Sequence, residues 1–161
     1  MKNQGKIFEE DFANSFPENV FIYRLRDTSS SWQNDNNNSK SRFTVKNICD
    51  FIAFNNINKR ILLLELKSFK GKSCTFSNVK IHQIESLYAQ CLKDGVDAYF
   101  IFNFRDISET FAVKAEKIYQ FYENSERKSF NYNWCSENGI FIDSRLKRTR
   151  FAYSIEKLLE N

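Results

Sequence analysis

The chain has 161 residues, 42% of them hydrophobic and 17 of them Phe, which predicts one domain with a sizeable core and excludes a disordered chain. A formal net charge of +4 suits a polyanionic partner without demanding one. Four widely spaced cysteines without a C-x-x-C pair, beside one histidine, exclude an ordinary zinc site and read as reduced thiols of a cytoplasmic protein, and no apolar run is long enough to span a bilayer.

Gly5 to Ser15 predicts a helix with a narrow apolar stripe of Phe8, Phe12 and Ala13, ended by Asn14 to Pro17. Glu9 borders that stripe, whereas Glu10 and Asp11 are expected in solvent. Val20 to Asp27 alternates as a strand, with Phe21, Tyr23 and Leu25 on one side and Ile22, Arg24 and Arg26 on the other. The polar stretch Thr28 to Arg42 follows, with Trp32 as its one aromatic. It reads either as a tolerated insertion or as a functional loop.

Lys46 to Ser68 reads as a hairpin. Ile48 to Phe54 and Ile61 to Lys67 are apolar runs, and Asn55 to Arg60 carries the turn residues. Folded about Ile57 and Asn58, it sets Phe54 against Ile61, Ile52 against Leu63, Asp50 against Glu65 and Ile48 against Lys67. The other face pairs Ala53 with Leu62, Phe51 with Leu64 and Cys49 with Leu66. A hairpin apolar on both faces belongs in the middle of a covered sheet. There the Asp50 and Glu65 Cβ atoms would lie roughly 4.5–5.5 Å apart, a repulsive placement, with Lys67 about 7 Å further along the same face. A divalent cation converts that repulsion into coordination. Strand ends opening into solvent would also tolerate these charges, and spacing alone leaves both readings standing.

Beyond the hairpin, Lys70 and Lys72 flank Gly71 and suit a phosphate backbone. Val79 to Lys93 predicts a helix through Ile84, Leu87, Tyr88 and Cys91, stopped by Asp94-Gly95. Lys80 and Gln83 fall in its first turn, where an anion is welcome, and His82 reads as a surface residue. Ala98 to Phe104 is a buried strand, turned by Arg105 to Glu109 into Thr110 to Val113. Ala115, Ile118, Tyr119 and Tyr122 mark a second amphipathic helix. Trp134, Ile140 to Ile142 and Phe151 to Tyr153 suggest a short helix and edge strands, and Ile155, Leu158 and Leu159 a last helical turn. Arg145 to Arg150 is a basic cluster, read as a solvated connection or a nucleic-acid contact.

A helix with Glu, a strand, a strand with Asp, a strand with Glu-x-Lys and a helix, in that order, resemble the PD-(D/E)xK nuclease core. Cys49 stands where that signature has Pro. The succession Gly5-Lys6-Ile7-Phe8-Glu9, Arg24-Leu25-Arg26-Asp27, Cys49-Asp50-Phe51, Leu64-Glu65-Leu66-Lys67, Phe76-Ser77 and His82-Gln83-Ile84-Glu85 is similar to the RecU family of Holliday junction resolvases, particularly its short phage forms. The resemblance implies an α/β fold with a mixed central sheet flanked by helices. It also implies a homodimer that uses Mg²⁺ or Mn²⁺ to cut branched DNA at four-way junctions. Residue by residue, it makes Asp50 and Glu65 metal ligands together with the carbonyl of Leu66. It sets Lys67 at the attacking water, gives Glu9 a metal-bound water or a second ion, and has Gln83 steady the scissile phosphate or the nucleophile. Arg24, Arg26, Lys70, Lys72 and Lys80 are candidate phosphate contacts. The family's projecting stalk would correspond to Thr28 to Arg42, here short and polar. Two alternatives are a related nuclease on duplex or flapped DNA and a non-catalytic DNA-binding module. The complete Asp, Glu and Lys set argues against the second.

Overall fold

The computed structural model describes residues 3–25 and 47–161; Arg26 and the stretch Thr28 to Arg42 lie outside them. The described elements are α1 (Gln4–Ala13), β1 (Ile22–Arg24), β2 (Phe51–Asn55), β3 (Arg60–Phe69), β4 (Ser73–Thr75), α2 (Ile81–Cys91), β5 (Val96–Phe104), β6 (Glu109–Lys114), α3 (Ala115–Asn124), β7 (Ser129–Asn131), α4 (Tyr132–Asn138), β8 (Ile140–Ile142), β9 (Ser144–Lys147), β10 (Arg150–Tyr153) and α5 (Glu156–Leu159). Six strands form one mixed sheet in the order β1-β2-β3-β5-β6-β8, in which only β3 and β5 pair in parallel. Two small antiparallel pairs, β4 with β7 and β9 with β10, stand beside it.

The central strands β3 and β5 are buried on both faces, which is why they read as nearly unbroken apolar runs. On one face Leu62, Leu64, Tyr99 and Ile101 pack against Phe8 and Phe12 of α1, Tyr153 of β10 and Leu158 of α5. On the other, Leu63, Phe100 and Phe102 pack against Ile84 and Leu87 of α2 and Ile118 of α3. Gly95 at φ +78° takes the left-handed conformation that lets the chain leave α2 for β5.

The hairpin register is the expected one from Phe54–Ile61 to Phe51–Leu64. It stops there. The Asp50 N–H donates to the Leu64 carbonyl at 3.0 Å, a partner one residue short of the facing Glu65. Cys49 packs with Leu63 and Ala98 on the α2 face, not opposite Leu66 on the other. The expected rungs Asp50–Glu65, Cys49–Leu66 and Ile48–Lys67 are therefore absent from the ladder. The physical reason is that the Asp50 carboxylate accepts the Leu66 N–H at 2.7 Å, so a side chain takes over a bond that the main chain would otherwise make.

A second expectation fails at Asp11, which is 4% exposed rather than solvated. Its Oδ1 accepts from Arg150 Nε and its Oδ2 from the Phe151 N–H at 3.0 Å. Strand β10 runs beside α1, and its main-chain N–H needs an acceptor once buried. The basic cluster at Arg145 to Arg150 accordingly folds as the β9–β10 hairpin, and Arg150 also reaches Glu10.

Candidate active site

Alternation along β3 turns Leu63, Glu65 and Lys67 to the face covered by α2, whose first turn carries Gln83. Glu65 is 1% exposed. Its Oε1 accepts from Lys67 Nζ at 2.7 Å and from Gln83 Nε2 at 2.6 Å, and Lys67 Nζ also donates to Gln83 Oε1 at 3.2 Å. The three side chains thus form a closed triangle about one carboxylate oxygen. The other oxygen, Oε2, is buried and has no hydrogen-bond partner among the described residues. Burial first, and the neighbouring Asp50 charge second, push the Glu65 carboxyl up to about 7, against the pull of Lys67 and Gln83.

Asp50 lies where the chain enters β2, with its Oδ2 on the Leu66 N–H. Within a strand one residue's N–H and C=O point the same way, as the paired exchange of bonds between facing residues requires. The Leu66 carbonyl therefore turns toward the Asp50 flank as well. Glu9 approaches from α1: burial and then the Asp50 charge raise its pKa, while Arg24 and Lys6 lower it. The Arg24 guanidinium donates to Glu9 Oε2. Asp50 is thus close enough to act on both of the other acids.

Among the described residues no three His, Cys, Asp or Glu side chains converge to cage a metal by themselves. The donors available to a cation are carboxylate oxygens of Asp50 and Glu65 and the Leu66 carbonyl. All are hard oxygen ligands, a set that fits Mg²⁺ or Mn²⁺ and disfavours a thiophilic ion. The bare Glu65 Oε2 supports the fit, because an ionised oxygen buried without a donor is costly unless a cation faces it. Cys49, next to Asp50 in the chain, donates to the Phe51 carbonyl; burial pushes its thiol up to about 12, which makes it packing rather than nucleophile.

The expected phosphate contacts divide. Lys70, Lys72 and Lys80 are exposed, whereas Arg24 is committed to Glu9. The turn carrying Lys70 and Lys72 is held by the Gly71 N–H donating to Asp106 Oδ2 at 2.8 Å. Sequence reading did not find Lys128, which the Phe76 N–H bond to its carbonyl brings to the side of α2 that carries Lys80. No local pattern marks it; the pairing of β4 with β7 puts it there.

A family model described as recombination protein U matches residues 19–154. The chain belongs to the RecU family. The matched span takes in Asp50, Glu65, Lys67 and Gln83 of this RecU chain and begins after Glu9. Among solved structures the chain is similar to Hjc of Archaeoglobus fulgidus, described as a Holliday junction resolvase from an archaeal hyperthermophile. That likeness has a TM-score of 0.50 at 14% identity and covers 76% of this chain and 82% of that one. At such identity it speaks for the shared fold. No curated protein sequence matches the RecU chain.

Proposed function

We propose that this RecU chain is a divalent-metal-dependent endonuclease that resolves four-way DNA junctions by symmetric hydrolysis of two phosphodiesters. The family's description as a recombination protein and the resolvase neighbour support the substrate. The observation that carries the chemistry is the buried Glu65 carboxylate, with one oxygen held by Lys67 and Gln83, the other without a donor among the described residues, and the Asp50 charge acting on the group.

Asp50, Glu65 and the Leu66 carbonyl would hold Mg²⁺ or Mn²⁺. Such an ion supplies Lewis-acid relief of charge on the phosphate and acidifies water near neutral pH. Lys67 brings a fixed ammonium to the same point, where it favours an anionic nucleophile and the crowded anionic transition state. Gln83 holds Lys67 and Glu65 in register, so the amine and the carboxylate meet substrate in one geometry. Glu9 orients Arg24 toward the same flank. Exposed Lys70, Lys72 and Lys80 take neighbouring phosphates, which makes affinity fall with salt. A four-way junction has two-fold symmetry, and paired nicks need two such sites in fixed relation, so the working unit is a homodimer.

The test is a synthetic four-way junction with purified protein. In Mg²⁺ the wild type nicks opposite strands symmetrically, and Asp50→Asn binds the junction but does not cut it. Equal cleavage of linear duplex would instead make it a duplex nuclease. Tight binding without cutting in either Mg²⁺ or Mn²⁺ would sink the catalytic reading.

A further inference from the structure

At the start of α2, the helix whose Gln83 bonds Glu65, lies an open cleft of about 610 Å³, within the size range of small-molecule sites. The turn at Phe76–Asn78, the start of α2 and the end of α3 enclose it. Phe76 and Tyr122, both half-buried, form an aromatic wall with ring centroids 5.0 Å apart. The exposed side chains of Lys80, Lys128 and Ser77 line it too, as does His82. Among the described residues of the lining Glu123 is the one carboxylate, so two lysines outweigh it. Of this lining, the chemistry proposed above uses Lys80 alone, as a phosphate contact.

Its place in the fold ties it to the reaction. Lys80 precedes Gln83 by three residues, about 4.5 Å along the helix axis. Whatever occupies the cleft is thus set by the same helical turn that holds Glu65 and Lys67. Aromatic surface and paired cations together match a single chemical unit, a base carrying a phosphate. A base reaches an aromatic wall only when it has left its own stack, and bases at a strand junction leave it most cheaply. We infer that this cleft holds one unstacked nucleotide of the cut strand, next to the scissile phosphate. Its base lies against Phe76 and Tyr122, and its phosphate meets Lys80 and Lys128. The inference rests on the nuclease reading and adds to it the part of the protein that chooses where on the strand to cut.

Four-way junctions carrying one abasic site, walked through the nucleotides around the branch point, separate the two claims. Binding is measured by fluorescence anisotropy in EDTA and cutting in parallel in Mg²⁺. One abasic position is expected to weaken wild-type binding about tenfold. Tyr122→Leu, which keeps apolar volume, should bind the intact junction about tenfold more weakly and be indifferent to that position. The pair Lys80→Ala with Lys128→Ala should lower the slope of log affinity against log salt by about two. An abasic series with no sensitive position, a Tyr122→Leu protein as sensitive as wild type, or an unchanged salt slope in the lysine variant would each overturn the cleft. Position-specific loss of binding by a wild type that cuts nothing would overturn the nuclease reading and leave the cleft standing.

Discussion

Two carboxylates are buried to nearly the same degree on opposite faces of this sheet, and they are treated in opposite ways. Asp11, 4% exposed, has a donor on each oxygen, Arg150 on one and the Phe151 N–H on the other. Glu65, 1% exposed, has two donors crowded on one oxygen and, among the described residues, none on the other. The first arrangement repays burial within the fold and joins α1 to β10. The second leaves part of the burial cost standing, which a fold built for stability alone would remove. The carboxylate proposed to hold the metal differs from the one that joins α1 to β10 in how its lone pairs are shared out, since depth of burial is nearly the same.

The comparison breaks most decisively on Glu65→Gln. Cutting should fall by on the order of a thousandfold or more, since the ion loses a ligand. Stability should move the other way. The folded carboxyl is raised from an ordinary 4.5 to about 7, so the unfolded chain ionises first as pH climbs. The wild type's stability from this group is present below about 4.5 and lost by about 7, while the Gln variant keeps its own. Thermal unfolding in EDTA at pH 8 should find Glu65→Gln the more stable by roughly 1–3 kcal/mol, with the gap closing at pH 4. A variant less stable at pH 8 would show Glu65 to be a structural acid like Asp11.

Asp11→Ala tests the other member. It leaves the part-buried Phe151 N–H without its acceptor and should cost roughly 1–3 kcal/mol in urea unfolding. Cleavage per folded molecule should be unchanged. Lost activity at full folding would move Asp11 into the site. The smallest effect is expected for Gln83→Ala, which releases Lys67 from one of its partners and should lower the cleavage rate about tenfold without weakening junction binding. Wild-type rates would reduce Gln83 to packing.

Much of this was legible along the chain. The turn residues between Asn55 and Arg60 set the hairpin register, and strand alternation then puts Glu65 and Lys67 on one face. Gln83 fell in the first turn of an evident helix. Less legible was Asp50. Its side chain takes the Leu66 N–H and ends the ladder, and no strand pattern announces a carboxylate that substitutes for a main-chain acceptor. Asp11 was misjudged for a related reason: its partners Arg150 and Phe151 lie far along the chain, so the helix that carries it looks solvent-facing on that side.

Local chemistry by itself therefore determined the central strands and helices, the hairpin register as far as Phe51, and that Glu65 and Lys67 share a strand face, because alternation and turn preference act between near neighbours. Only the tertiary structure decided how each buried oxygen is served, and that Phe76, Lys80, Tyr122 and Lys128 meet in one cleft. Gln83 reaches Glu65, and Arg150 and Phe151 reach Asp11, from segments distant in sequence, and their arrival is settled by packing, which no short stretch of chain encodes.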